Sequence, residues 1–285
     1  MEASLRQPVF DPIRPWHERL QAAGGATLGH LNALADAAGL RTESGRPVRF
    51  VPPGAAGAYY EARVFESGCV ETRPESLHDL FNALAWLAFP RTKARINAMH
   101  AERIPHERGR RGRLRDLLTL FDEGGAIVAC ADAELLALLR GFRWKELFWE
   151  HRRRVLRSMR ISVLGHAVLE KALEPWPGIT CKAIFVAPGA DADAQAAAWL
   201  AQRSTQATPR ELAPVPIFGY PGWLPGSERP EFYDDTRYFR APGAILRAPM
   251  ETPDSATPAR RPPPRGGAKG PPRGSARCGR RARRP

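Results

Sequence analysis

The stretch 77–101, LHDLFNALAWLAFPRTKARINAMHA, constrains the fold more than any other part of the chain. It holds two helix-forming segments that meet at Phe89-Pro90. A proline biases the residue before it away from the helical region, so the first helix is expected to end at Phe89 and the second to run over 92–101. Ser76 and Asp79 have capping-box spacing, with Asp in place of the usual Glu. An acid in the first turn also suits the positive end of the helix dipole. Leu77, Phe81, Leu84, Leu87 and Ala88 recur at helical spacing and predict one buried stripe, with Leu80 beside it.

Polar residues are set into these apolar faces. His78 and Asn82 are four apart; Asn97 and His100 are three apart, with Lys93 on the same side. If the helices fold back on each other, two His/Asn pairs meet in a cluster that could bind a metal, orient a water or hold a small polar ligand. The structural alternative has the asparagines serving backbone groups near the Pro90 break and both histidines partly exposed.

Charge is placed unevenly. The chain carries 43 Lys+Arg against 30 Asp+Glu, a net +13, and +10 of that sits in residues 255–285, leaving +3 on the first 254. The body is therefore near neutral, and the tail alone is expected to make weak contact with nucleic acid or an acidic partner. Residues 250–285, rich in Pro, Gly and Arg, have hardly any apolar side chain to pack and are expected to be disordered, with residues 1–249 forming a single globular domain. Cys69, Cys130, Cys181 and Cys278 are far apart with no CxxC, which argues against a structural zinc site and suits a reducing cytoplasm. No stretch approaches the roughly 20 apolar residues of a membrane span, and the N-terminus lacks the basic start and apolar run of a signal peptide.

Along the chain, Phe10 and Trp16 are expected to anchor an N-terminal arm. Residues 28–39 read as a helix stopped by Gly39, and 48–51 as a short strand before a Pro/Gly loop. Residues 59–65 and 69–72 flank Glu66-Ser67-Gly68 as a hairpin. An Arg/Gly-rich loop follows His100, and its five arginines between Arg108 and Arg115 read as a solvated surface rather than a phosphate groove. Residues 114–121 predict a short helix or an extended entry, Asp122–Gly125 a turn, and 126–130 a strand. Two adjacent carboxylates, Asp122 and Glu123, at the mouth of a strand suit acid–base work, a metal ligand or a simple turn. Asp132 should cap the next helix. Residues 143–159 and 161–173 predict successive helices, with Gly165 allowing close backbone approach and His166 among apolar residues. Residues 182–186 read as a central strand and 191–203 as an Ala-rich helix. From Pro214 the chain is dense in Pro, Gly and aromatics, which predicts a packed segment that wraps the domain.

No GxGxxG after a strand, GxxxxGK[ST], HExxH or GxSxG occurs, so nucleotide-binding, zinc-peptidase and α/β-hydrolase readings have no direct support. The segments HDLFNALAWLAFPRTKARINAMH, LRDLLTLFDEGG, FRWKELFW, GHAVLEKAL and GYPGWLPGSERPEFYDDTRYFR occur in one order that resembles an uncharacterised bacterial family, domain of unknown function 3025. The likeness spans roughly residues 10–245. The family carries no assigned activity; the resemblance implies only that His78, Asp79, Asn82, Asn97, His100, Asp122, Glu123, Gly165, His166, Pro221, Gly222, Trp223, Asp234 and Asp235 belong to its motifs.

The fold class that follows is α+β, a helix-rich domain around a small mixed sheet. The function expected is a cytoplasmic protein with a polar, hydrolase-like site, metal-assisted in one version. Its catalytic candidates are His78, Asn82, His100 and Asp122, and its ligand-binding candidates are Asp79, Asn97, Glu123 and His166. No metal ligand or cofactor is assigned. The alternatives are a non-enzymatic interaction module and nucleic-acid association through the basic tail.

Overall fold

The computed structural model describes residues 4–54, 59–107 and 109–241. The tail 250–285 lies outside the described residues. The fold is α+β, helix-rich around a small mixed sheet. Four strands, β3 (Gly125–Cys130), β4 (Met159–Val163), β5 (Thr180–Val186) and β6 (Ala213–Pro216), lie in the order β4-β3-β5-β6. β3 and β5 run parallel, with Gly125 opposite Lys182 and Ala129 opposite Val186; β4 and β6 are antiparallel to their neighbours. β5 takes an inner place in the sheet, as its apolar, branched core requires. A separate parallel pair joins β1 (Arg49–Val51) to β2 (Cys69–Glu71).

The N-terminal helices α1 (Arg14–Ala22) and α2 (Leu28–Ala37) lead into β1, and Phe10, Leu20 and Leu31 are buried beneath them. Between β1 and β2 the chain forms helix α3 (Tyr60–Ser67), where the sequence suggested a hairpin strand. Gly68 is the reason: at φ +78° it closes the helix by donating its N–H to the Val64 carbonyl, and any side chain there would strike the Pro47 carbonyl. A glycine in this conformation is the ordinary stop of a helix, and in sequence alone it reads equally as the bend of a hairpin.

The central pair is α4 (Leu77–Ala88) and α5 (Pro90–Arg103). Ser76 accepts a hydrogen bond from the Asp79 N–H, and Phe89 breaks the helix before Pro90 starts the next one. Proline is tolerated there because its missing N–H would have no intrahelical partner. Phe81, Leu84 and Leu87 are buried as their spacing predicts, each side chain contributing roughly 1.5–3 kcal/mol. Leu77 is exposed and Trp86 buried, so the apolar face is broader than the stripe and its first turn stands outside it.

Helix α6 (Arg113–Gly124) runs straight into β3, so Asp122 and Glu123 occupy its last turn rather than a loop. Asp132 caps α7 (Ala133–Arg140), accepting from the N–H groups of Glu134 and Leu135. The single long helix expected over 143–159 is instead a π-helical turn, Glu146–Glu150, followed by α8 (Arg152–Ser158). The helix expected over 161–173 is strand β4 followed by α9 (His166–Lys171). Met159, Ile161 and Val163 are buried while Arg160 is exposed; that two-residue alternation is the signature of a strand. Helix α10 (Ala192–Ala201) packs on α5. The final aromatic segment is ordered against the sheet: Tyr238 donates its hydroxyl to the Ile179 carbonyl at 2.8 Å, and Tyr233 donates to the carbonyls of Gly219 and Ser227. Among the described residues, no helix is long and apolar enough to cross a membrane.

Candidate functional site

A cleft of about 590 Å³ opens between α3, α4, α5 and α6, with His166 of α9 at one edge. His78, Asp79, Asn82, Asn97, His100, Asp122, Glu123 and His166 all line it. The two His/Asn pairs do not bond to each other as the sequence suggested. Each of the four finds a different partner, brought in by α3, α5, α6 or α9.

Lys93 occupies the floor. Its ammonium, 4% exposed, donates to Asn82 Oδ1 at 2.8 Å and to Asp122 Oδ1, and it lies 5.7 Å from the centre of the Trp86 ring. An ammonium over an aromatic face is within cation–π range. Burial by itself would raise the Asp122 carboxyl. The positive charge and hydrogen bond of Lys93, with His166 and His100 nearby, outweigh burial and hold it below the usual carboxylate range.

Glu61 of α3 faces the same floor and is displaced the other way. Burial, and then the Asp122 charge, hold its carboxyl above the usual range, against the pull of Asn97, Lys93 and Arg115. Asn97 donates its side-chain N–H groups to the Glu61 backbone carbonyl at 2.8 Å and to Glu61 Oε2 at 2.7 Å. The carbonyl can only accept, so the orientation of the Asn97 amide is settled by chemistry. Tyr60 lies alongside, its phenol pushed upward by burial and by Glu61 and Asp122, and it stays a neutral donor.

At the far end of the α5 face, Arg115 donates its Nε–H to His100 Nδ1 at 3.0 Å and its Nη1–H to Glu107 at 2.9 Å. His100 therefore presents a bare Nδ1 to a cation. Burial and then Arg115 push its imidazole down to about 4. Lys93 and His100 are seven residues apart on one helix, so the polar floor is on the order of 10 Å long. Arg111, hydrogen-bonded to the Thr119 hydroxyl, lies at the rim, as does exposed Glu123.

At the opposite edge, His166 Nδ1 lies 2.9 Å from the Asp122 backbone carbonyl and 3.7 Å from Asp122 Oδ2. Its Nε2 is 3.1 Å from His78 Nε2, and His78 Nδ1 is 3.0 Å from Glu170 Oε2. Gly165 makes this possible. A methyl group at Gly165 would fall 2.5 Å from the Gly125 nitrogen and 2.7 Å from the Glu123 carbonyl, so only glycine lets α9 approach the α6–β3 junction so closely. Asp79, in contrast, is engaged at the rim by Arg73, through the guanidinium Nε and Nη2 and the backbone N–H.

Lys93 and Glu61 were not among the candidates read from the sequence. Lys93 could have been found, since it shares a helix face with Asn97 and His100. Glu61 was hidden by the hairpin reading of its segment, and Glu170 by the long helix expected over 161–173. Among the described residues, no group of three or more His, Cys, Asp and Glu side chains is placed to hold a metal ion.

A helix-rich α+β protein with this cleft is thus the class at hand. The chain belongs to the family described as protein of unknown function (DUF3025), whose profile matches residues 48–242. The match takes in α3, α4, α5, α6 and α9, and with them every side chain of the cleft described above. No curated protein and no solved structure matches the chain.

Proposed function

We propose that the cleft is the active site of an enzyme that performs general acid–base chemistry of the hydrolytic kind on a small polar substrate. Glu61 is the acid, Asp122 the base, and Lys93 and Asn82 hold Asp122 in place. The observation that carries this reading is one buried lysine flanked by two carboxyl groups in opposed environments at the floor of a single concave site. Groups whose surroundings drive their proton affinities apart are suited to acid and base roles. In a hydrolytic cycle Asp122 accepts a proton from the attacking water, and Glu61 gives its own to the leaving group. Tyr60 and the His100 ring supply neutral donors along the wall.

The described cysteines, Cys69, Cys130 and Cys181, are all free thiols, which supports a reducing, cytoplasmic setting. The ten positive charges of residues 255–285 support weak contact with nucleic acid or an acidic partner.

The test does not depend on knowing the substrate. Glu61→Gln keeps an acceptor for Asn97 and removes a costly buried carboxyl, so it should raise the thermal midpoint, as relief of a functional strain does. A panel of chromogenic esters, phosphates, amides and glycosides then tests activity. Any turnover should fall about 10²- to 10⁴-fold in Glu61→Gln and in Asp122→Asn. A Glu61→Gln protein that is less stable than wild type, or turnover indifferent to both changes, overturns the reading.

A further inference from the structure

The contacts at the α4–α9 edge impose a proton count. The Asp122 carbonyl oxygen can only accept, so His166 Nδ1 carries a hydrogen. An ionised Glu170 can only accept, so His78 Nδ1 carries one too. Two neutral rings would then face each other with bare lone pairs at Nε2–Nε2, 3.1 Å apart. That contact is favourable only with one more proton between the rings. Three hydrogens on four nitrogens satisfy every bond in the row, and moving one onto Glu170 leaves the total unchanged.

We propose that Glu170, His78 and His166 form a relay holding one exchangeable proton, which carries protons between solvent and Asp122 at the floor of the cleft. This rests on the reading of Asp122 as the base and names the route by which it is reset. The outer pair is open to solvent, Glu170 41% and His78 40% exposed, whereas His166 is 7% exposed and Asp122, which lines the cleft, 17%.

The steps balance. Asp122, having accepted a proton, gives it from Oδ2 to a bare His166 Nδ1. The His166 Nε2 proton passes to His78 Nε2, and His78 becomes an imidazolium beside Glu170. That ring then releases a proton to water. The observed geometry is the state reached just after the hand-over: Asp122 is ionised against Lys93, and the two rings share the extra hydrogen. A small rotation of His166 exchanges the Asp122 carbonyl for Oδ2 as its partner. The charged and titratable groups around the pair are Glu170 beside His78, and Asp122 and Lys93 beside His166, with Asp79 and Glu123 lining the same cleft. A fourth proton would destroy the Nε2 bond, and His166 resists it: burial, Lys93 and His78 push its imidazole down to about 4, against the pull of Asp122.

The experiment is a pH titration of ring nitrogens in full-length protein carrying ¹⁵N-labelled histidine. Both Nδ1 atoms should be protonated at neutral pH, and on raising the pH both rings should change together in one step as the shared proton leaves. Glu170→Gln keeps an acceptor but removes the charge, so the step should move to lower pH. In His78→Gln, His166 should keep its hydrogen on Nδ1 at neutral pH and show no shared step on raising the pH. Separate steps for the two rings in wild type, or a step unmoved by Glu170→Gln, overturn the relay. The titration needs no substrate, so the two readings fail separately. A shared proton with turnover indifferent to Glu61→Gln and Asp122→Asn removes the acid–base reading alone; independent rings with turnover lost in both remove the relay alone.

Discussion

Lys93 Nζ lies 2.8 Å from Asn82 Oδ1, tying α5 to α4 across the Pro90 break, and the same ammonium grips Asp122 of α6. One buried cation therefore fixes three helices relative to each other. It also determines the state of the base. A charge this deep is tolerated only because each of its partners is in place.

Removing Lys93 should therefore be severe. Lys93→Met leaves Asp122 charged and unpaired on the floor of the cleft and should cost roughly 3–5 kcal/mol of folding stability. Pairing it with Asp122→Asn should restore part of that loss. Chemical denaturation of the two single variants and the double variant measures the coupling, and simple additivity would show that the pair is not a unit.

Gly165→Ala places a methyl group against the backbone of Glu123, Gly124 and Gly125, with no flexible side-chain end to give way. The expected loss is about 1–3 kcal/mol, as for overpacking elsewhere. Because α9 must retreat from the α6–β3 junction, the His166–Asp122 contact should weaken too. Thermal unfolding and the His166 ring shifts report the two effects separately.

Acid should destabilise the protein through His100. Its folded pKa, pushed down to about 4 by burial and Arg115, lies below the ordinary 6.5. Between these values the unfolded chain binds the proton and the folded one does not, so this contribution is present above 6.5 and lost as pH falls towards 4. Glu61 and Glu43, both raised, mainly by burial, act in the opposite sense. The comparison is thus with His100→Gln, which keeps an acceptor for Arg115 and does not titrate. It should lose less stability than wild type across that window, by about 1–3 kcal/mol. Parallel pH–stability curves would show that His100 takes up its proton in the fold without difficulty.

The composition of residues 250–285 predicts that they are dispensable for folding. Cutting the chain after Pro249 should leave the thermal midpoint nearly unchanged. It should also abolish most binding to nucleic acid and flatten its salt dependence, because ten of the net thirteen positive charges go with it. A body that bound as tightly with the same salt slope would place the contact elsewhere.

What the sequence by itself determined was local. Ser76, Pro90 and Asp132 punctuate their helices through backbone chemistry that acts within a few residues, and the branched run of β5 demands an inner strand. The family motifs likewise marked His78, Asn82, Asn97, His100, Asp122 and His166. Tertiary structure decided who meets whom. Gly68 ends a helix rather than turning a hairpin, because its positive φ sits against the Pro47 carbonyl, 21 residues away in the chain. That single difference turns Glu61 towards Asn97. The 159–163 segment becomes a strand because β3 offers it a ladder, and only then does α9 start at Gly165 and bring His166 and Glu170 to His78. Spacing along a helix places side chains on a face. Which partner stands opposite each ring nitrogen depends on contacts between residues 15 to 92 positions apart, and no local pattern records them.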